Sequence, residues 1–506
     1  MFSKNRTKWL ALGLFTTVYG GSAAAVGLIY MDWSTPQSYL YFLCFTFLLI
    51  GVAFDVSIST VALVTKPYYP PKRSDLADFP KVALLITLCD DALPEVLELL
   101  DAQDYPNYDV YVLDDSSHPG ALAIVNAYAA RYTIIRRASR SGYKAGNLNH
   151  WLDTLSAPYK YFTILDNDSK LPNDFLSRAL EYAEHPANAG VAIFQSKIYN
   201  WNTGSRFARI LGVLAPLRMY TLERTTSYFG NILSYGHNVL CRTEYIHAAG
   251  GFPEMITAED TALTLILDGQ GYSTTLVDII SYDSEPADVF RYARRTVRWA
   301  KQTVEVFRFP WVNSSLYLKV SLCYNLYTYI RPLVYFVLLL FMLWTSLTGG
   351  LVSSPDKAIE VIINSRRYFD PWFAVLVVTL GVWLLPLWLQ FGLAARARVS
   401  IASMLLNWLL SVALMHFVFV PMTVGMLRVW LGMKVAFTPT NASSVSPVTL
   451  LTIAKKMWIL IALSSLLLLS VVVKSQVAVF GISAIWALLI LFSPAILWSV
   501  QRRQRE

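Results

Sequence analysis

The run Tyr161-Phe162-Thr163-Ile164-Leu165-Asp166-Asn167-Asp168 decides the fold. Its first five residues are aromatic, β-branched or aliphatic and have the length of a buried strand. Two carboxylates end it. Residues i and i+2 of an extended strand point the same way, so Asp166 and Asp168 reach for one point in space. Carboxylate oxygens held like that suit a hard divalent cation such as Mg²⁺ or Mn²⁺, the kind of ion that bridges phosphate oxygens. A bare Asp-x-Asp is common in loops, whereas one that terminates an apolar strand is much less so.

Further β-rich runs lie on either side: Val82–Leu88, Val110–Leu113, Tyr132–Arg136 and Gly190–Gln195. Helical patterns separate them, such as Pro94–Ala102 and Gly120–Ala130. This alternation predicts an α/β domain over residues 66–310 with a mostly parallel sheet. Ligands of such sheets bind at the carboxyl ends of the strands. A second acidic pair, Leu113-Asp114-Asp115-Ser116, falls at one of those ends. Asp114 and Asp115 can accept hydrogen bonds from a nucleobase or ribose, or they are solvated acids of a turn.

Three more motifs carry chemistry. In Lys144-Ala145-Gly146-Asn147-Leu148-Asn149 the lysine either meets phosphate oxygens from a Gly-containing turn or is solvated at a helix start. Ala258-Glu259-Asp260 precedes the helical run Thr261–Leu267. Asp260 is either an anion kept ionised at a helix N-terminus, fit to act as a base, or the N-cap of that helix. Arg291-Tyr292-Ala293-Arg294-Arg295-Thr296-Val297-Arg298-Trp299 is a cationic, aromatic helix. Arg294 and Arg298 are i, i+4 neighbours able to clamp a pyrophosphate, and Trp299 can stack on a sugar ring. The alternative is a helix lying on a membrane surface.

Composition adds a membrane. The 506 residues are 55% hydrophobic and only 15% charged, with a mean hydropathy of +0.43. Apolar residues are dense before about Lys66 and after Pro310. The net charge of +8 comes from basic residues flanking apolar runs, which fits the positive-inside rule and not nucleic-acid binding. Four scattered cysteines without a Cys-x-x-Cys pair suggest neither disulfides nor zinc. Lys4, Arg6 and Lys8 precede an apolar stretch too long for a signal peptide, so an uncleaved first helix is expected.

Seven segments are candidates to cross the bilayer: Trp9–Met31, Tyr39–Val64, Ile330–Val352, Trp372–Ala395, Ile401–Leu431, Met457–Val473 and Val477–Ser499. The second carries Asp55, which either faces the bundle interior or is solvated near an end. Seven crossings put Arg502, Arg503 and Arg505 opposite the basic N-terminus. Ile401–Leu431 contains Asn407, His416, Pro421 and Arg428 and is expected to lie in the interface instead. Six crossings leave both termini and the α/β domain in the cytosol. The expected organisation is two membrane helices in residues 1–65, the α/β domain in 66–310, and a membrane region in 311–506.

The order Asp-Asp-Ser, Lys-Ala-Gly-Asn-Leu-Asn, Asp-Asn-Asp, Ala-Glu-Asp and Arg-Arg-Thr-Val-Arg-Trp before a membrane bundle resembles the processive family 2 glycosyltransferases. These include bacterial cellulose synthase, hyaluronan and chitin synthases and related glucan synthases. The resemblance runs from about Lys81 to Asn441. It implies a membrane α-helical bundle plus a cytosolic α/β domain of GT-A type that binds a nucleotide sugar. It implies an inverting enzyme that transfers from a UDP-sugar, UDP-glucose first, into a β-linked polysaccharide and moves the polymer across the plasma membrane. The growing polysaccharide is then the acceptor, and the family admits accessory export subunits.

Residue by residue, the resemblance makes Asp114 and Asp115 nucleotide-binding, gives Lys144 the diphosphate, and gives Asp166 and Asp168 the metal. It makes Asp260 the base on the acceptor hydroxyl, sets Arg298 on the departing diphosphate and stacks Trp299 on the acceptor. Arg295 and Thr438 fall among the donor-binding residues. Phe437-Thr438-Pro439, within the 435–441 segment, resembles a gating loop that closes over nucleotide. There are departures. Ala258 stands in place of threonine in Thr-Glu-Asp, Arg295 in place of glutamine in Gln-x-x-Arg-Trp, and the acceptor segment reads Tyr235-Gly236-His237-Asn238, closer to osmoregulated glucan synthases. Two other readings compete: a non-processive enzyme glycosylating a lipid, and a transporter or receptor with a degenerate nucleotide fold. Intact Asp168, Asp260, Arg298 and Trp299 argue against the latter.

Overall fold

The structure is a computed structural model that describes residues 4–29, 33, 34, 36–67, 69–76, 78–201, 204–307, 309, 313–348, 371–433, 448–473 and 477–501. Two long helices open the chain, α1 (Lys4–Ile29) and α2 (Pro36–Val64). The α/β domain follows as β1 (Val82–Leu88), α3 (Pro94–Leu97), β2 (Tyr108–Asp114), α4 (Pro119–Asn126), β3 (Thr133–Ile135), α5 (Tyr143–Leu155), β4 (Tyr161–Asp166) and α6 (Phe175–Ala183). It continues with β5 (Val191–Asn200), α7 (Arg206–Gly212), α8 (Ala215–Phe229), β6 (Val239–Arg242), α9 (Thr243–Ala248), α10 (Glu259–Gly269), β7 (Ser273–Asp283) and α11 (Val289–Val306). The remaining helices are α12 (Leu316–Thr348), α13 (Pro371–Arg396), α14 (Ile401–Trp430), α15 (Leu450–Lys456), α16 (Trp458–Val473) and α17 (Val477–Gln501).

Seven strands form one sheet in the order β3-β2-β1-β4-β6-β5-β7. The core strands β1, β2, β3 and β4 are parallel, as the apolar runs predict. The sheet is mixed because β6 runs antiparallel to both β4 and β5. Neither β6 nor β7 was among the expected strands. β6 has only four residues, one of them Arg242, and β7 alternates polar with apolar residues. β1 opposes Thr87 to Asp166 on one side and Leu88 to Asp114 on the other. Parallel pairing therefore brings both acidic strand ends to one edge.

One sheet face packs Leu85, Phe162 and Ile164 against Leu148 and Trp151 of α5 and Leu263 and Leu267 of α10. The other face packs Tyr161 and Phe194 against Phe175, Leu176 and Leu180 of α6. Trp151, Phe162 and Phe175 are fully buried, and each such side chain contributes about 1.5–3 kcal/mol by leaving water. The first of these layers holds α5 and α10 at the strand ends.

Among the described residues, five helices are long and apolar enough to cross a membrane, and six if the α15–α16 pair, bent by 80°, counts as one span. Ile401–Trp430, expected in the interface, is among the five by length and composition. Its neighbours lie on two sides. Asn407 Nδ2 donates to Ile210 O of α7 at 2.6 Å, and Phe417 meets Phe290 of α11 edge to face at 5.6 Å. Its Gly425 leaves room for Lys301 of α11, whose Cε lies 2.9 Å from where a Cβ would stand. On another side Phe419 meets Phe336 of α12 at 5.0 Å. α14 is thus wedged between the α/β domain and the helix bundle. Asp55 of α2 accepts a hydrogen bond from Tyr324 of α12 at 2.7 Å, so it faces a neighbouring helix.

Candidate active site

Five sequence elements converge at the carboxyl edge of the sheet. Asp166 ends β4. Lys144 stands in the first turn of α5 and donates to Asp166 Oδ1 at 2.5 Å and to Gly236 O at 3.1 Å. The segment expected as a Gly-containing turn is therefore helix. The turn is supplied one step earlier by Gly142, which caps α5 with φ +70°. The lysine is not solvated either. Burial works against its charge, but Asp166 and Glu259 outweigh burial and hold its pKa above the ordinary value. In return, Lys144 and His237 overcome burial and keep Asp166 below the usual carboxylate range.

Asp168 lies two residues on. It accepts from Ser284 Oγ at 2.5 Å and shares a side-chain hydrogen bond with Asp283 at the end of β7. Burial first, then the nearby Asp283 charge, raises Asp168 well above its ordinary pKa. Two acidic groups in such contact need a proton or a cation between them. Among the described residues no three His, Cys, Asp or Glu side chains already converge on a metal position. Asp166 and Asp168 offer the hard carboxylate oxygens that suit a divalent cation.

Asp260 is the second residue of α10. The N-cap is Ala258, which makes no side-chain cap bond. Asp260 is therefore not the N-cap, and its Oδ1 accepts from Thr261 N at 2.6 Å. Burial raises its pKa first of all. Burial and Asp260 push Glu259 up to about 7. Gly236, at φ +74°, passes so close that a Cβ there would stand 2.8 Å from Asp260 Cβ. The Tyr235–Asn238 turn thus joins Asp260, Lys144 and Asp166.

α11 brings the cations. Asp288 caps it, accepting from the N–H groups of Phe290 and Arg291 at 2.9 Å each. Arg298 interacts electrostatically with Asp166, Glu259 and Asp168. Trp299 remains 42% exposed, enough to offer its ring to a ligand. Arg295 lies 4.7 Å from the centroid of that ring and pairs with Glu285 at 2.5 Å. It lies over the ring of Trp299.

The Asp-Asp pair divides. Asp114 is 1% exposed and its carboxylate is filled by Arg136 Nε and Ser116 N. Asp115 is held by both arms of Arg137, at 3.1 and 2.5 Å. Thr438 and the 435–441 segment lie outside the described residues.

His237, Asp283, Ser284 and Glu259 joined the site without having been assigned roles. Asp283 had a legible signal, since it too is an acid that ends a β-rich run. His237 Nε2 lies 3.2 Å from Asp283 Oδ2 and Nδ1 lies 3.6 Å from Asp166 Oδ2. Both carboxylates outweigh burial and raise His237 to about 9.

Comparison with known proteins agrees with this geometry. Residues 88–248 match the family model described as Glycosyl transferase family 2. The chain is 25% identical over 342 residues to a "Glucans biosynthesis glucosyltransferase H" of Caulobacter vibrioides (strain NA1000 / CB15N), covering 60% of this chain and 51% of the relative. It is 26% identical over 268 residues to a "Cellulose synthase catalytic subunit [UDP-forming]" of Komagataeibacter sucrofermentans, covering 50% and 35%. The chain thus spans about half the length, or less, of these relatives. A solved mannosyltransferase from Pyrobaculum calidifontis, in complex with GDP-Man and Mn²⁺, aligns with a TM-score of 0.47 at 17% identity, over 76% of this chain and 99% of that one. The strand-end carboxylates, the α5 lysine and the match over residues 88–248 lead to one conclusion: this chain carries a family 2 glycosyltransferase domain, built on a mixed α/β sheet.

Proposed function

We propose that the chain is an inverting hexosyltransferase that builds a β-linked polysaccharide from a UDP-sugar, with UDP-glucose the first choice, and passes the polymer across the plasma membrane. The observation that carries this reading is the convergence of Lys144, Asp166, Asp260 and Arg298 on one sheet edge, beneath helices long enough to span a bilayer. Asp260 takes the proton of an acceptor hydroxyl. The acceptor oxygen forms its bond to the sugar's anomeric carbon as the carbon–phosphate oxygen bond breaks, and the electron pair leaves with UDP. Lys144 and Arg298 receive the charge that develops on that diphosphate, and Trp299 stacks on the acceptor sugar. A divalent cation held by Asp166 and Asp168 supplies charge neutralisation at the diphosphate when bound. In this reading Asp115 serves the uridine side, Arg295 positions Trp299, and Thr438 belongs to a loop closing over the nucleotide. The α/β domain and both termini face the cytosol, and α14 lies at the interface.

The test is to incubate the purified chain with a panel of radiolabelled nucleotide sugars and Mg²⁺ or Mn²⁺, then size and digest the product. A high-mass product from UDP-glucose that β-glucanases degrade is expected. Transfer of a single sugar to lipid replaces this reading with a non-processive lipid glycosyltransferase, and no transfer from any donor overturns both.

A further inference from the structure

Asp168 lies past the end of its strand. The pairing of β4 with β1 stops at Asp166, and the chain turns at Asn167 and Asp168. The alternation that aims residues i and i+2 to one side holds within an extended strand, so it does not by itself aim Asp168. Trp201, the first residue past β5, takes over that task. It donates its indole Nε1–H to Asp168 O at 2.7 Å. Its backbone N–H donates to Asp283 O, at the end of β7, at 3.2 Å. One residue thus ties the loop that carries Asp168 to the strand end that carries Asp283.

The loop grips the ring in return. Lys170, two residues after Asp168, sets its ammonium 3.4 Å from the centroid of the Trp201 ring, a cation–π contact. Lys170 is itself fixed by two backbone hydrogen bonds of 2.9 Å with Tyr282 of β7. β5 and β7 run side by side in parallel as far as the pair Asn200–Asp283, so Trp201 leaves the sheet beside Asp283. The indole therefore has both its N–H and its face held by the loop that carries Asp168. A phenyl ring in its place would keep the face and lose the donor.

We infer that Trp201 is a positioning residue: its indole and backbone N–H groups brace the Asp168 loop against β7 and set where the Asp168 carboxylate stands to receive a divalent cation. This inference rests on the role proposed above for Asp166 and Asp168 as metal ligands. Trp201 acts through the peptide of Asp168 and not on the cation itself. Groups that orient a metal ligand in this way are commonly worth about 10–100-fold in metal affinity.

The test uses the full chain in lipid nanodiscs, with free Mn²⁺ read by electron paramagnetic resonance at saturating UDP. Trp201→Phe keeps an aromatic ring for Lys170 and removes the indole N–H. Mn²⁺ binding is expected to weaken about tenfold or more, while the melting temperature in EDTA stays within about 4 °C of wild type. In an Asp168→Asn background the same substitution is expected to change Mn²⁺ affinity by less than about twofold, because its route to the cation is gone. Excess Mn²⁺ is expected to recover most of the transfer lost in Trp201→Phe, which a damaged fold would not allow. Trp201→Tyr fills more of the indole volume and runs the same cycle should Trp201→Phe not fold. Equal losses of Mn²⁺ affinity in both backgrounds show a merely structural role and overturn the inference. A wild-type chain that binds UDP but no Mn²⁺ overturns the metal role of Asp168 and this inference with it. Mn²⁺ binding that is intact in wild type and unchanged in Trp201→Phe overturns the inference alone.

Discussion

Asp260 occupies the space a side chain on Gly236 would need: a Cβ there would stand 2.8 Å from Asp260 Cβ and 3.0 Å from its Oδ2. The same glycine holds φ +74° and offers its carbonyl to Lys144. Gly236→Ala is therefore expected to displace the proposed base and the lysine together. The left-handed backbone alone costs about 1–2 kcal/mol with a Cβ. A fall in transfer of about 10²-fold or more, with UDP binding weakened, is the expected outcome. Steady-state transfer and thermal unfolding check it, and a near-normal rate refutes the tight Gly236–Asp260 contact.

Lys144→Gln tests the link between α5 and β4. The lysine is expected to meet the diphosphate, so its loss should raise the donor KM about tenfold or more and also lower the maximal rate. Lys144→Arg keeps the charge but replaces a compact ammonium with a planar fork, and recovers only part of the activity. An unchanged donor KM in Lys144→Gln removes Lys144 from the donor site.

The pH dependence follows from Glu259 and Asp260. Burial pushes Glu259 up to about 7, and Asp260 is raised as well. Asp260 can act as base only once it has released its own proton, so transfer is expected to rise with pH above the ordinary carboxylate range. Glu259→Gln removes the neighbouring charge and is expected to move this acid limb about one unit lower. A flat profile, or an acid limb unmoved in Glu259→Gln, contradicts the assignment of Asp260 as base.

Asp288 tests whether the cap of α11 matters to catalysis. It satisfies two N–H groups of the helix that carries Arg298 and Trp299. Asp288→Ala is expected to cost about 1 kcal/mol, while Asp288→Asn, an equally good cap, costs little. Transfer should follow the same order if α11 positions the leaving-group cations. Equal rates in both variants separate the cap from the chemistry.

Much of this site was legible because it rests on short-range patterns. The runs that became β1 and β4 are buried on both faces, so continuous apolar residues marked them, and the acids that end them were visible at once. Three features were hidden for physical reasons. Lys144 looked like part of a turn because Gly146 follows it, yet Gly146 is helical and needed for close packing: a Cβ there would stand 2.7 Å from Arg137 Nη1. Asp260 looked like a cap because Asp often is one, but α10 begins one residue earlier, at Glu259, with Ala258 in the cap position. Asp114 looked like a ligand group, and only the tertiary fold brings Arg136 from the end of β3 to fill its carboxylate. The pairing of His237 with Asp283 spans 46 residues, and no local periodicity encodes it.

The last prediction concerns Asp168, where stability and activity should part. Asp168 is raised well above its ordinary pKa by burial and by Asp283, so the folded chain binds a proton there that the unfolded chain has already released. Where the folded state holds more protons than the unfolded one, stability falls as pH rises. Without metal, the chain should therefore be more stable at about pH 5 than the Asp168 contribution allows at about pH 8, the loss running upward from the ordinary carboxylate range. A divalent cation can replace that proton, so added Mn²⁺ should restore stability at the higher pH. Asp168→Asn removes the ionisable group and keeps its size. Thermal unfolding in EDTA should then show a smaller loss between the two pH values than in wild type, and Mn²⁺ should no longer stabilise the chain. Turnover should be abolished in the same variant, because an amide is a far poorer ligand for a hard cation than a carboxylate. A site that gains stability on losing its charge while losing its activity is one kept unstable for function. Full activity of Asp168→Asn, or of wild type in excess EDTA, ends the role of Asp168 as a metal ligand. A metal-dependent wild type whose stability responds to pH as Asp168→Asn does instead shows that Asp168 is ionised before the cation arrives.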